Sequence, residues 1–398
     1  MKLLAVGYSV RHIVCSGSRA GYEMSAADAF GDLDTRRCAK KYFHLDPLQP
    51  QASLKLLLQP QASLKLLRGE VSKADGVILG SGFERAGSDF LGRKIVGNSL
   101  EKTRAVANKA WLSARLDDLG VPHPRTYTGK EIAEGEGADL KYPVVAKPAY
   151  GGGGTANFLC RTGKELVRWA ERLPEFLFQE YLKGTPASVS TISKKNEAVS
   201  VCVNEQLIGL KSLGAPGPFV YCGNISPFET RFSEEVQRMS EIAEELVVEL
   251  GLVGSNGVDF VVTADGRRPV VIEVNPRFQG SLDTVELSTG LNLVDEHLKA
   301  VVAGGGEGKE LPERVKAKRQ RCAAKAILFA EREMVVAEDF GGSWGRRVGV
   351  ADIPEKGRII KPGEPVATGI GVGETRAEAF AAAVKNVNIF KRIYKKCK

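Results

Sequence analysis

No stretch of the 398-residue sequence runs to about 18 uninterrupted apolar residues, the length a membrane-crossing helix needs, so no membrane partner is expected. The opening MKLLAVGYSV has no cationic stretch leading into a long apolar core, so no secretory signal is expected, and a cytoplasmic location is. Histidine is scarce, four residues set far apart, and the seven cysteines form no CxxC pair, which argues against a zinc site or a redox motif. Odd in number and scattered, the cysteines are expected to be reduced and buried. Helix-turn-helix, zinc-finger and RNP-like aromatic patterns are missing, so no nucleic-acid partner is expected. The first turn, Gly7-Tyr8-Ser9, is not GxGxxG, so a nicotinamide cofactor is unsupported. No Ser–His–Asp or Cys–His constellation points to covalent catalysis.

What remains is an ordinary globular composition, 43% hydrophobic and 26% charged, long enough for two or three domains. Glycine is in excess, with 44 residues against a usual share of about 7%. Such an excess means many tight turns, or backbone that must approach a ligand closely. The net charge is +8, part of it gathered in the tail KRIYKKCK, which reads as solvated surface. A basic surface also favours anionic substrates by steering.

Lys2–Gly7, Glu23–Ala29, Asp75–Ser81 and Lys94–Asn98 read as strands, with helical spacing between them over Val10–Gly21. This alternation predicts a parallel, doubly wound α/β sheet over residues 1–100. The decapeptide LQPQASLKLL occurs twice in tandem, at Leu48–Leu57 and Leu58–Leu67. Two short copies are no repeat array, and the extra copy reads as a lengthened surface loop or helix. Glu101–Leu119 reads as one long helix, stopped by Gly120. Residues 101–305 then read as clustered antiparallel strands with helices, an α+β organisation. The Gly-rich stretch Ala303–Leu311 marks a boundary before a C-terminal α+β segment, 306–398, that closes with a helix over Ala377–Phe390.

The strongest chemical signal is the hairpin GVDFVVTADGRRPVVIEVNPR. A loop centred on Gly266 sets Asp259 directly opposite Glu273, with Asn275 and Arg277 on the same face. Two carboxylates with Cβ atoms ~5 Å apart repel, and a divalent cation between them removes the conflict. Oxygen-only ligands suit Mg²⁺ or Mn²⁺ held together with substrate phosphates. The apolar run VVI and Pro276 predict a central strand. A second signal is Lys147 at the end of the strand YPVVAK, followed by Gly151, Gly152, Gly153 and Gly154. A lysine delivered beside a glycine loop puts one charge and several N–H donors on phosphates. The lysine precedes the glycines, so this is not the P-loop order.

Taken in order, Lys109, Lys147 with the four glycines, Gln179-Glu180-Tyr181-Leu182, Asp259 and Glu273-x-Asn275-Pro-Arg277 resemble the ATP-grasp superfamily. Its members include biotin carboxylase, D-alanine–D-alanine ligase and carbamoyl phosphate synthetase. The resemblance covers about Asn98 to Ala303 and implies an ATP-grasp fold behind an N-terminal doubly wound domain. It implies that Lys109 and Lys147 contact ATP phosphates, with Lys102 a less well-placed rival for the first. Gly151–Gly154 would be the mobile lid, and Glu180, Tyr181 and Leu182 the hinge whose backbone reads adenine. Asp259, Glu273 and Asn275 would hold two Mg²⁺ (or Mn²⁺) ions, and Arg277 would stabilise the transferred phosphoryl group. The implied reaction is carboxylate–amine ligation through an acylphosphate.

There are departures from the pattern. The run GTPASVS after the hinge lacks the acidic residue that many members use for ribose. Where biotin carboxylase has a glutamate acting on bicarbonate, this sequence has Ser281, although Gln279 is kept. The segment QGSLDTVELSTG resembles archaeal-type carboxylate–amine ligases, whereas residues 306–398 look similar to the biotin carboxylase C-terminal region. The alternatives are therefore a carboxyphosphate-forming, biotin-carboxylase-like enzyme or a non-catalytic ATP-binding regulatory protein. The resemblance makes a homodimer plausible. Ser9, Arg11 and Asp28, with Glu84 and Arg85, lie where open sheets bind ligands and are candidate contacts for the carboxylate or amine substrate.

Overall fold

The computed structural model describes residues 1–45, 61–84, 94–228, 233–265, 268–302, 311, 321–337, 339–340 and 349–396. The first part runs β1 (Lys2–Val6), α1 (Arg11–Arg19), β2 (Glu23–Asp28), α2 (Leu33–Cys38), β3 (Lys41–His44), α3 (Gln61–Lys73) and β4 (Gly76–Leu79). All four strands are parallel, in the order β3-β2-β1-β4. Leu3, Leu4, Ala5 and Val6 are all buried, as expected of a strand covered on both faces. The expected strand over Lys94–Asn98 is not one, because only Ile95 bridges to Val77. The chain then leaves the sheet: Gly97 takes a φ of +134°, and Asn98 donates to Asn256 and to the Pro276 carbonyl. Strand β3 and helix α2 have no counterpart in the sequence reading. Of the tandem decapeptides, Gln61–Leu67 of the second copy opens α3, and the first copy lies outside the described residues.

The expected single helix over Glu101–Leu119 is two, α4 (Leu100–Ala107) and α5 (Lys109–Asp118). Asn108 between them is extended (φ −78°, ψ 106°), and its side chain accepts from the N–H groups of Ala110 and Trp111. An Asn side chain that captures the first free N–H groups starts a new helix at Lys109.

Next come β5 (Thr126–Thr128), α6 (Gly129–Ala133), β6 (Val144–Pro148), β7 (Phe158–Cys160), α7 (Gly163–Arg172) and β8 (Phe176–Glu180). Their strands form an antiparallel sheet in the order β5-β8-β6-β7. A larger sheet is built from β9 (Gly184–Ser193), β10 (Ala198–Ile208), β11 (Tyr221–Ser226), β12 (Gly254–Thr263) and β13 (Pro269–Asn275). Helix α8 (Ser233–Glu249) packs on it, and α9 (Leu282–Thr289) and α10 (Leu293–Val302) follow. The chain ends with β14 (Cys322–Phe329), β15 (Met334–Val335), β16 (Val350–Ala351), β17 (Ile359–Ile360), β18 (Pro365–Gly373) and α11 (Arg376–Lys396). The large sheet has the order β13-β12-β9-β10-β11-β14-β18-β16, so the C-terminal strands continue it, while β15 and β17 pair apart. Strand β13 is therefore an edge, not the central strand its apolar run predicts. That edge is covered, since the Val271 N–H donates to the Pro122 carbonyl. No helix among the described residues is long and apolar enough to cross a membrane.

Helices α1 and α2 fasten the first sheet to the rest. Arg11, expected as a substrate contact, is instead buried and bidentate to Asp283 of α9, with Asp352 at 2.9 Å on its third nitrogen. Asp34 of α2 accepts from the Asp352 and Ile353 N–H groups. Asp28 is also buried, accepting from the N–H groups of Val10, Phe30 and Gly31. The cysteines are not all reduced: Cys15 of α1 and Cys38 of α2, Cα atoms 5.0 Å apart, are joined by a disulfide. Cys160, Cys202 and Cys222 are free and buried.

Burial alone would raise the Asp283 carboxyl, but Arg11 and Lys325 beside it overcome this and hold it well below the usual carboxylate range. Asp283→Ala would leave two buried cations without their shared anion. It is expected to destabilise the fold by about 3–5 kcal/mol. A denaturant midpoint close to that of the wild type would show that these charges find other partners.

Candidate active site

The two antiparallel sheets meet where β6 and its glycine loop face the β12–β13 hairpin. In that hairpin Asp259 stands opposite Glu273, and Gly257 opposite Asn275. Directly beyond Asp259 the register slips by one, pairing Phe260 with Val271, which spares the carboxylate pair. Gly266, the expected loop centre, lies outside the described residues. Asn275 Nδ2 donates to Asp259 Oδ2 at 3.2 Å, and Gln279 Nε2 to Oδ1 at 3.0 Å. Burial, and then the charge of Glu273, push the Asp259 carboxyl up to about 7. Among the described residues, no cluster of three or more His, Cys, Asp and Glu side chains is placed to hold a metal ion. The donor set is thus two opposed carboxylates and an amide whose nitrogen is already given to Asp259. Two repelling carboxylates with an amide oxygen to spare fit a hard divalent cation that completes its shell with phosphate or water.

Lys109 reaches this pair from the start of α5. Its Nζ lies 3.4 Å from Glu273 Oε1 and donates to the Gly151 carbonyl at 2.7 Å. The break at Asn108 is what brings it there: the Lys109 N–H donates to the Ala149 carbonyl, and Asn108 Nδ2 to the Tyr150 hydroxyl. Lys102, the rival, is elsewhere and donates to the Gly251 carbonyl.

Lys147 is buried on β6. Opposite it on β8 stands Leu177, so Gln179, paired with Val145, is its diagonal neighbour on the same face. Lys147 Nζ donates to Gln179 Oε1 at 2.6 Å. Burial, reinforced by the charge of Lys109 and opposed by Glu273, lowers its ammonium to about 7. A lysine so destabilised is poised to gain a proton when anionic oxygens arrive.

The glycine loop is docked. Gly153 accepts from the Tyr221 N–H at 3.1 Å, and Gly154 (φ +69°) leaves no room for a side chain, since a Cβ would sit 1.9 Å from the Phe219 carbonyl oxygen. Gly152 lies beside the Arg277 guanidinium, whose Nη2 would be 3.7 Å from a Cβ there. Phe219 in turn packs edge-on against Tyr181 of the hinge, with centroids 6.3 Å apart. Glu180 is anchored to the Arg125 carbonyl through its N–H, and Leu182 follows just before β9.

The structure therefore brings Lys109, Lys147, the glycine loop, Asp259, Glu273, Asn275 and Arg277 together, and it adds Glu84. Arg277 Nε donates to Glu84 Oε1 at 3.0 Å. Ser9 lies in the loop after β1 and makes no part of this cluster, while Arg85 lies outside the described residues. Gln206, hydrogen-bonded to Asp259, is a site residue that the sequence reading missed, and Gln179, named there only as the start of the hinge run, has a contact to Lys147 that was not foreseen. For Gln179 a signal existed, because strand alternation puts it on the face of Lys147. Ser281 is buried, 3.2 Å from the Ser190 hydroxyl, so no carboxylate stands at that position.

Residues 106–281 match the family described as ATP-grasp domain. An uncharacterised protein of Methanocaldococcus jannaschii is 25% identical over 92% of this chain and 87% of its own length. Among solved structures, an L-amino acid ligase from Bacillus licheniformis superposes with a TM-score of 0.67 at 20% identity, over 98% of this chain and 97% of that one. The biotin carboxylase domain of Hydrogenobacter thermophilus 2-oxoglutarate carboxylase, solved with MgADP and bicarbonate, gives 0.66 at 16% identity, over 93% and 85%.

Proposed function

We propose that this chain, whose residues 106–281 match the ATP-grasp domain, is an ATP-dependent carboxylate–amine ligase. Residues 1–100 serve as the substrate-side domain, 101–305 as the nucleotide domain and 306–398 as a C-terminal extension. The reading is carried by one observation: Asp259 and Glu273 oppose each other across the hairpin with Lys109 at their edge and Lys147 behind.

Asp259, Glu273 and Asn275 are the residues that would hold Mg²⁺, and a cation bound there supplies charge neutralisation along the phosphates. Lys109 and Lys147 cancel phosphate oxygens that would otherwise repel an incoming carboxylate. The N–H groups of Gly151–Gly154 close over the phosphates, and Glu180, Tyr181 and Leu182 edge the adenine. The substrate carboxylate attacks the γ-phosphate, yielding ADP and an acylphosphate, and Arg277 faces the charge that develops there. An amine then displaces phosphate to form the amide. Bicarbonate activation is the weaker reading, despite the likeness to a biotin carboxylase domain, because Ser281 cannot act as a base.

The test is ADP and phosphate release with MgATP and the twenty standard amino acids, singly and in pairs, against bicarbonate. Release that depends on an amino acid supports the ligase. Release with bicarbonate alone supports the carboxylase, and nucleotide binding without turnover in any mixture refutes both.

A further inference from the structure

Glu84 has no part in the nucleotide chemistry described so far, yet it touches the residue at the centre of that chemistry. It lies in the loop after β4, and β4 lies beside β1 at the point where the strand order of the parallel sheet reverses. Connections run outward from β1 to β2 and β3 on one side and return to β4 on the other. At such a switch point the loops after the two strands part and leave a ligand crevice. Here the two loops are tied at their base: the Tyr8 N–H donates to the Ser81 carbonyl at 2.7 Å, and a Cβ on Gly7 would lie 3.0 Å from Gly80 Cα. Beyond that tie the two loops stay in contact, since a Cβ on Gly82 would lie 3.2 Å from the Tyr8 Cβ, and the Tyr8 side chain itself is half-exposed. Glu84 is held at both oxygens, Oε2 accepting from the Gly82 N–H at 2.8 Å and Oε1 from Arg277. It thus joins the loops at the switch point to the reacting end of the site.

We propose that Glu84 receives the acceptor substrate, a primary amine that arrives as an ammonium ion, and takes its proton; this rests on the ligase reading above. Charge makes the case. Around the reacting carbonyl the chain supplies Lys109, Lys147 and Arg277, all repelling an ammonium, and the carboxylates Asp259 and Glu273 are committed to cations. Among the described residues, Glu84 is the carboxylate ion-paired to Arg277. The ammonium gives one proton to the Glu84 carboxylate, and the freed nitrogen lone pair forms the C–N bond at the acyl carbon. The C–O bond to phosphate breaks, phosphate leaves with that electron pair, and the second nitrogen proton leaves with it. Glu84 then releases its proton to solvent.

The experiment compares Glu84→Gln with wild type using two nucleophiles, the twenty amino acids as charged amines and hydroxylamine, which is uncharged at neutral pH. Removing a general base costs roughly a hundred-fold or more. Glu84→Gln is therefore expected to lose amide formation by about that factor, and hydroxamate formation from the same carboxylate at least ten-fold less. Glu84→Asp, which keeps the charge, should recover part of the amide rate. Equal losses with both nucleophiles would mean that Glu84 acts only by orienting Arg277, and no loss with either would remove it from the site; both outcomes overturn the proposal. A wild-type chain that forms no hydroxamate from any amino acid instead refutes the ligase reading itself, and this inference with it.

Discussion

Glu273→Gln is expected to lower metal-dependent turnover by roughly a thousand-fold or more, several kcal/mol of lost charge neutralisation, with no loss of folded stability. In the free protein Glu273 is a source of conflict. It faces Asp259 across the hairpin, and its charge is the second cause, after burial, of the rise of that carboxyl to about 7. The amide has the same shape without the charge, so it relieves the repulsion at the cost of one contact to Lys109 at 3.4 Å. Stability and activity should therefore part. Asp259, freed of its neighbour, should fall toward the ordinary carboxylate range, so that whatever cation affinity remains persists to lower pH than in the wild type. Thermal unfolding together with ADP release titrated against Mg²⁺ checks both halves. Activity within a few-fold of wild type would move the metal away from this hairpin.

The carboxylate pair was legible in the sequence because its geometry is local. Strand alternation and a short turn fix which residues of a hairpin oppose, and a bulge one step nearer the turn did not reach Asp259. Lys147 and its glycines were legible for the same reason. The errors are of another kind. That β13 is an edge depends on β12 finding β9 as its other partner, and β9 lies far back in the chain. The helix break at Asn108 is only faintly marked in AVANKAW, where Asn is a good helix-starting residue but no proline or glycine stands. It exists because Ala149 and Tyr150, forty residues later, dock against it.

Arg11 shows the same limit from the other side. At the end of a parallel strand, an arginine near a crevice reads as a ligand contact. Its actual partners, Asp283 and Asp352, come from segments that meet it only in the folded chain. The Cys15–Cys38 disulfide likewise needed the packing of α1 on α2, which no cysteine spacing encodes. Glu84, 193 residues from Arg277, could be placed near a ligand crevice by topology, but not against that arginine.

Lys147→Ala is expected to weaken nucleotide binding by roughly a hundred-fold, about 3 kcal/mol, the scale for removing one partner of a buried charge-assisted contact. The free protein should lose little stability, because burial already disfavours this ammonium and lowers it to about 7 from an ordinary 10.5. Between those values the unfolded chain holds the proton and the folded chain does not. Stability of the free wild type should therefore rise with pH across that window, and the variant should lose this rise. Nucleotide reverses the balance. Phosphate oxygens beside the amine favour its charged form, so at pH 8 binding of MgADP should take up a proton. At pH 6 the lysine is already charged and no uptake is expected. Calorimetry in buffers of differing ionisation enthalpy reads the net proton directly, and Lys147→Ala should abolish the uptake at pH 8 while leaving the release that metal binding draws from Asp259 at pH 6. Tight binding by the variant, or no uptake by the wild type at pH 8, would assign the phosphate contact to Lys109 alone and leave Lys147 as a buried partner of Gln179.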